Sequence, residues 1–142
     1  MRYLLDTNVL SEVTKSIPES SVVDWLYDQK AEDVWVSVLT MGEIERGIRL
    51  MKSGPERKAL NAWFRGLQKQ YTRQTLPFDE AAASKWAEMY GRPPFKDGVT
   101  KVMDSLIAAF AAAHDFVLVT RNTKDMPRSV KVLDPWKYKR PA

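Results

Sequence analysis

Asp6, Glu43, Asp104 and the Asn122/Asp125 pair each fall where an apolar run ends or a helix is expected to begin. If those ends converge in space, the fold builds an acidic pocket. Carboxylates crowded at low dielectric repel one another and are costly to desolvate, so a divalent cation is their natural neutraliser. Hard oxygen donors without nitrogen or sulfur select Mg²⁺, with Mn²⁺ as the alternative. Metal-dependent chemistry is therefore the first expectation.

Each of these residues also has a purely structural reading. Asp6 at a strand-to-helix turn is a natural N-cap, and Glu43 stands three residues after Thr40 in the spacing of a capping box. Asp104 would complement the positive end of its own helix. Asn122 and Asp125 lie in a polar stretch, Thr120 to Pro127, that could be only a loop. Position argues for more. Asp6 follows the first apolar run directly and is itself followed by Thr7 and Asn8, while Thr120 and Asn122 offer further oxygens to a cation or its waters. Gly47, one turn after Glu43, leaves the neighbouring surface bare, and Ala108, Ala111 and Ala112 let the backbone pack closely along the Asp104 side of its helix.

Absent residues exclude several mechanisms. With no cysteine there is no disulfide, thiolate metal site or cysteine nucleophile. His114 is the only histidine, which excludes a two-histidine ribonuclease, and it is expected to cap the end of its helix. There is no Gly-rich phosphate loop, nucleophile elbow or histidine-carboxylate metal motif. Asn8 stands where aspartyl-phosphate enzymes need a second aspartate, which counts against a small-phosphate hydrolase.

The elements that must position these side chains alternate. Arg2 to Leu5 and Val34 to Val38 read as β-strands, as do Gln74 to Phe78, Phe116 to Thr120 and Val130 to Leu133. Between them fall helical patterns: Val22 to Leu26, a helix from Thr40 with Met41, Ile44, Ile48 and Met51 on one face, Glu56 to Gln70, Asp79 to Gly91, and an alanine-rich helix from Lys101 or Val102 to His114. Arg92 to Gly98 is the clear loop. Strands joined by helices predict a mainly parallel sheet covered on both faces, with ligands outside the carboxyl ends of the strands.

The 142 residues predict one domain, 1–142, with a single core. No apolar stretch is long enough to cross a membrane, and the apolar start is too short for a secretion signal, so a cytoplasmic location is expected. The net charge of +4 concentrates along Arg46 to Arg73 and near the C-terminus, which suits a phosphate-rich partner or simply solvated helix faces.

At these residues the chain resembles the PIN-domain family, specifically the VapC-type toxins of toxin-antitoxin pairs and the similar FitB group. The resemblance rests on Leu4 to Glu12, Gly42 to Gly47, Asp104 to Ala109, Thr120 to Asp125 and Asp134-Pro135-Trp136, five blocks that span almost the whole chain. It implies a three-layer α/β/α sandwich and an acidic site of Asp6, Glu43 and Asp104, with Asp6 and Asp104 as metal ligands. Members place a further acid at the position of either Asn122 or Asp125. The role is therefore carried to Asp125, with Thr7, Asn8, Thr120 and Asn122 supporting.

The implied activity is Mg²⁺-dependent endonucleolytic cleavage of RNA, with tRNA or ribosomal RNA as targets of many members. The basic helix from Arg57 to Arg73 could then track the RNA backbone. The implied partners are a VapB-type antitoxin that places a basic residue in the acidic pocket, a second copy in a homodimer, and operator DNA through the antitoxin complex. The rival reading is a noncatalytic FitB-like subunit of such a DNA-binding complex. Of the five tryptophans, Trp25, Trp35, Trp63 and Trp86 are expected mainly in the core, with some on partner surfaces.

Overall fold

Five short strands pair side by side in the order β3-β2-β1-β4-β5, and every pairing is parallel. In this computed structural model, which describes residues 1–90 and 102–142, the strands are β1 (Tyr3–Leu5), β2 (Val34–Ser37), β3 (Thr75–Leu76), β4 (Val117–Val119) and β5 (Val132–Leu133). The helices are α1 (Thr7–Glu12), α2 (Ser20–Asp28), α3 (Val38–Arg49), α4 (Pro55–Gln70), α5 (Glu80–Met89) and α6 (Val102–Ala113). The expected loop from Arg92 to Gly98 lies outside the described residues.

The three layers follow from the alternation of side chains along each strand. Leu4 and Leu5 are both fully buried, yet they point to opposite faces. Leu5 packs with Val9, Trp25, Ile44, Phe64 and Val119 in a core covered by α1 to α4. Leu4 packs with Ala82, Ile107, Phe110 and Leu118 under α5 and α6. The expected single core is thus two cores, separated by the sheet. Tyr3 against Trp25, with ring centroids 5.0 Å apart at 88°, adds an edge-to-face contact to the first.

Right-handed crossovers explain which helices go where. The chain steps outward from β1 to β2 to β3 with α1 to α4 on one face, then returns over the sheet through α5 and α6 to β4 on the far side of β1. The direction of winding reverses between β1 and β4. That reversal opens a crevice at the carboxyl ends of the two central strands, where doubly wound sheets bind ligands.

Two expectations about helix ends are corrected. α3 begins at Val38, and its cap is Ser37, whose hydroxyl accepts from the Leu39 amide at 2.9 Å. Thr40 therefore lies inside the first turn, fully buried, and Glu43 is not part of a Thr40 capping box. The His114 ring does not cap α6; its Nε2 lies 2.8 Å from Asp79 Oδ2, tying the end of α6 to the residue that caps α5. Asp79 itself caps α5 as expected, accepting from the Ala82 amide at 2.9 Å.

Candidate active site

Asp6 closes β1 and opens α1, so both its backbone and its side chain are fixed. Its amide donates to the Val119 carbonyl at 2.9 Å, continuing the β1–β4 ladder into the crevice, and its Oδ1 accepts from the Thr7 amide at 2.7 Å. Across the crevice Thr120, the residue after β4, donates its hydroxyl to Asp6 Oδ2 at 2.8 Å. The same hydroxyl oxygen accepts from Asn8 Nδ2 at 3.2 Å and from the Asn122 amide at 3.1 Å. A hydroxyl has one proton and two lone pairs, so these partners leave its proton only for the carboxylate. Asn8 completes the arrangement: Nδ2 also lies 3.4 Å from Asp6 Oδ2, while Oδ1 accepts from the Arg121 amide at 3.3 Å.

Glu43 reaches the cluster from α3. Its Oε1 accepts from the Thr7 hydroxyl at 2.7 Å, so Thr7 serves Asp6 through its amide and Glu43 through its side chain. Burial pushes the Asp6 carboxyl above its ordinary value, against the Thr120 and Thr7 hydrogen bonds that favour the charged form. Burial likewise raises the Glu43 carboxyl; the Thr7 hydroxyl opposes the rise and the nearby charge of Asp6 adds to it. Two carboxylates are thus held close together with neutral hydrogen-bond donors alone, and among the described residues neither has a cationic partner.

Asp104 stands in the first turn of α6, half-buried. Since α6 returns the chain to the start of a parallel strand, its first turn lies at the carboxyl rim of the sheet, the same rim as Asp6. α6 also packs against α3, which carries Glu43. Asn122 and Asp125 lie beyond Thr120, both exposed, with Thr123–Asp125 forming a single 3₁₀ turn. Asn122 joins the cluster through its backbone amide, and among the described residues the Asp125 carboxylate makes no hydrogen bond.

Below Glu43 a cleft of about 290 Å³ runs past Gly47 and Ile48 to Leu60 and Trp63, with Thr7 and Ser11 on its other wall. The bare surface expected at Gly47 is part of this cleft; a Cβ placed there would meet nothing within 4 Å.

Comparison with known proteins matches the PIN domain to residues 3–130. The chain belongs to the PIN-domain family. Its relatives include the toxin FitB of Neisseria gonorrhoeae, 32% identical with 94% of this chain and 97% of FitB covered. The VapC ribonuclease Y4jK of Sinorhizobium fredii is 30% identical, with 94% and 96% covered. Among solved structures, FitAB bound to an IR36 DNA fragment superimposes with a TM-score of 0.87 at 31% identity, covering 97% of this chain and 98% of that one.

In this PIN domain the donor set suits a hard cation. Asp6 and Glu43 supply carboxylate oxygens that burial makes uncomfortable as anions, and Thr7, Asn8 and Thr120 hold those oxygens in place without neutralising them. Among the described residues no group of three acidic or imidazole side chains is arranged to hold an ion, so Asp104 shares the rim without completing a ligand set in this arrangement.

Ser105 is not among the expected site residues. Fully buried beside Asp104, its hydroxyl donates to the Val102 carbonyl at 2.6 Å and accepts from Trp86 Nε1 at 3.0 Å, pinning the first turn of α6 to α5. Its signal in the sequence is a serine inside an otherwise alanine-rich apolar helix. Of the tryptophans, Trp25 is core; Trp35, Trp63 and Trp86 are half-buried, and Trp63 lines the cleft.

Proposed function

We propose that this PIN domain is a Mg²⁺-dependent endoribonuclease of a toxin-antitoxin pair, with Asp6 and Asp104 as metal ligands and Glu43 completing the site. The observation that carries this reading is the Asp6–Thr7–Glu43 cluster, two carboxylates gathered without a cation at the crevice between β1 and β4. A bound Mg²⁺ would lower the pKa of a coordinated water and offset charge developing on the scissile phosphate. Thr120 and Asn8 would keep Asp6 ionised and aimed into the crevice, and Thr7 would do the same for Glu43. Asp125, on its exposed turn, would act from the edge of the site once substrate or metal draws it in, with Asn122 assisting. Mn²⁺ satisfies the same oxygen donors.

The ribonuclease names of relatives support the reaction class, and the FitAB complex supports a FitA-like or VapB-like antitoxin as partner, with operator DNA bound through it. The cleft from Glu43 to Trp63 would receive part of that antitoxin, next to the acidic pocket where a basic side chain would be held. The FitAB–DNA complex also favours the second reading, a noncatalytic subunit of a DNA-binding assembly.

Cleavage of labelled RNA by the purified protein separates the two. The wild type should cut with Mg²⁺ and stop in EDTA, and Asp6→Asn should lose about 100-fold or more of the rate while staying folded. A folded wild type that leaves RNA intact yet binds its antitoxin would favour the noncatalytic reading.

A further inference from the structure

On the side of the α3–α4 hairpin away from the cleft lies a larger pocket, of about 550 Å³, that the acidic site does not use. Arg49, Arg57, Lys58 and Arg65 line it, against one carboxylate, Glu45, which already pairs with Arg49 at 2.7 Å. Arg57 is partly committed, donating from Nη1 to the Met51 carbonyl at 3.4 Å. Among the described residues Lys58 and Arg65 have no ion pair, and both are exposed. The floor is apolar, formed by buried Ile48 and Phe64, and Ser53 and Asn61 add neutral hydrogen-bonding groups at the wall.

From this pocket we infer a backbone-binding subsite for single-stranded RNA, separate from the cleavage site and reached along α3. The inference rests on the ribonuclease reading and adds where the substrate is anchored. Lys58 and Arg65 are seven residues apart on one face of α4, about 10 Å along the axis, a span that neighbouring phosphates of a flexible strand can bridge. Glu43 and Arg49 stand six residues apart on α3, about 9 Å along the axis and about 120° apart around it. A polyanion held by the pocket therefore passes over the edge of α3 to reach the acidic crevice, where carboxylates alone would repel it. The broad basic stretch expected from Arg57 to Arg73 narrows accordingly: Lys69 and Arg73 are not among the lining residues.

Fluorescence anisotropy with a labelled single-stranded RNA in EDTA tests this without cleavage. The Lys58→Ala/Arg65→Ala double variant should bind more weakly than wild type, with a slope of log affinity against log salt shallower by about 0.7 for each lost phosphate contact, so by roughly 1.4. Its thermal shift on adding Mg²⁺ should equal that of wild type, which also confirms folding. Unchanged affinity and slope, or a wild type that binds no RNA, would overturn the subsite. So would a variant that keeps its RNA slope but loses a poly-glutamate peptide, which would make the pocket a dock for an acidic protein segment. If the variant loses RNA while the wild type never cleaves, the subsite stands and the nuclease reading fails.

Discussion

At the scale of single residues, the carboxylates of Asp6 and Glu43 are held in a state that costs the metal-free protein stability. A carboxyl whose pKa rises on folding binds more protons in the native chain than in the unfolded one between its ordinary value and the raised one. Stability therefore falls as pH climbs through that interval and stays lower above it. For Glu43 the interval opens at 4.5. Glu43→Gln keeps an oxygen for the Thr7 hydroxyl and removes the charge, so without metal it should melt higher than wild type at neutral pH, and the two should converge well below pH 4.5. Added Mg²⁺ should raise the wild type more than the variant. Thermal denaturation across pH, in EDTA and in Mg²⁺, checks all three.

Asp6 was legible in the sequence because it stands at the end of an apolar run, and Glu43 because it flanks the stripe of Met41, Ile44 and Ile48. The hydrogen bonds between them were not. Nothing in Thr7 distinguishes a turn residue from a bridge between two carboxylates, since that role depends on α3 arriving from another crossover. Glu43 looked like half of a capping box because Thr40 has the right spacing; Ser37, closer to the strand end, takes the cap instead.

The scale of elements decides whether Asp104 can act. α6 carries it at the rim, and the position of that first turn depends on the buried Ser105 hydroxyl between Val102 and Trp86. Ser105→Ala leaves the indole N–H without its acceptor, at a cost of about 1–3 kcal/mol. If Ser105 positions Asp104, the variant should also lose kcat for RNA while KM changes little, whereas a purely structural loss would lower the melting temperature alone. α3 offers the opposite case. The Thr40 hydroxyl is fully buried with no partner among the described residues, so Thr40→Val should stabilise the protein by about 1 kcal/mol in chemical denaturation. Helical periodicity identified the buried face of α3, where Met41, Ile44 and Ile48 are all in the core. Strands β3 and β5 are two residues long, shorter than the sequence predicts, because apolar residues beside a strand resemble residues inside it.

For the whole molecule, the reversal of winding between β1 and β4 is what brings residues 114 positions apart, Asp6 and Thr120, within 2.8 Å. The sheet divides the interior into two cores, and the one under α1 to α4 supports both carboxylates of the cluster. Phe64, 2% exposed in that core, should cost about 3–5 kcal/mol when cut to alanine, measured by urea denaturation, and Mg²⁺ should no longer produce the wild-type thermal shift at temperatures where the variant begins to open. The parallel sheet covered on both faces was readable from the alternation of strands and helices, and the strand order was not. The division of the core was not, because periodicity gives the faces of each element without saying which faces meet.

Isothermal titration of Mn²⁺ into metal-free wild type, Asp6→Asn and Asp104→Asn tests the account most directly. One or two ions should bind the wild type, with protons released at pH values just above the ordinary carboxylate range as the raised carboxyls ionise, and both variants should lose that binding while remaining folded. Equal binding by all three proteins, or no binding by folded wild type, would contradict a metal centre at this crevice.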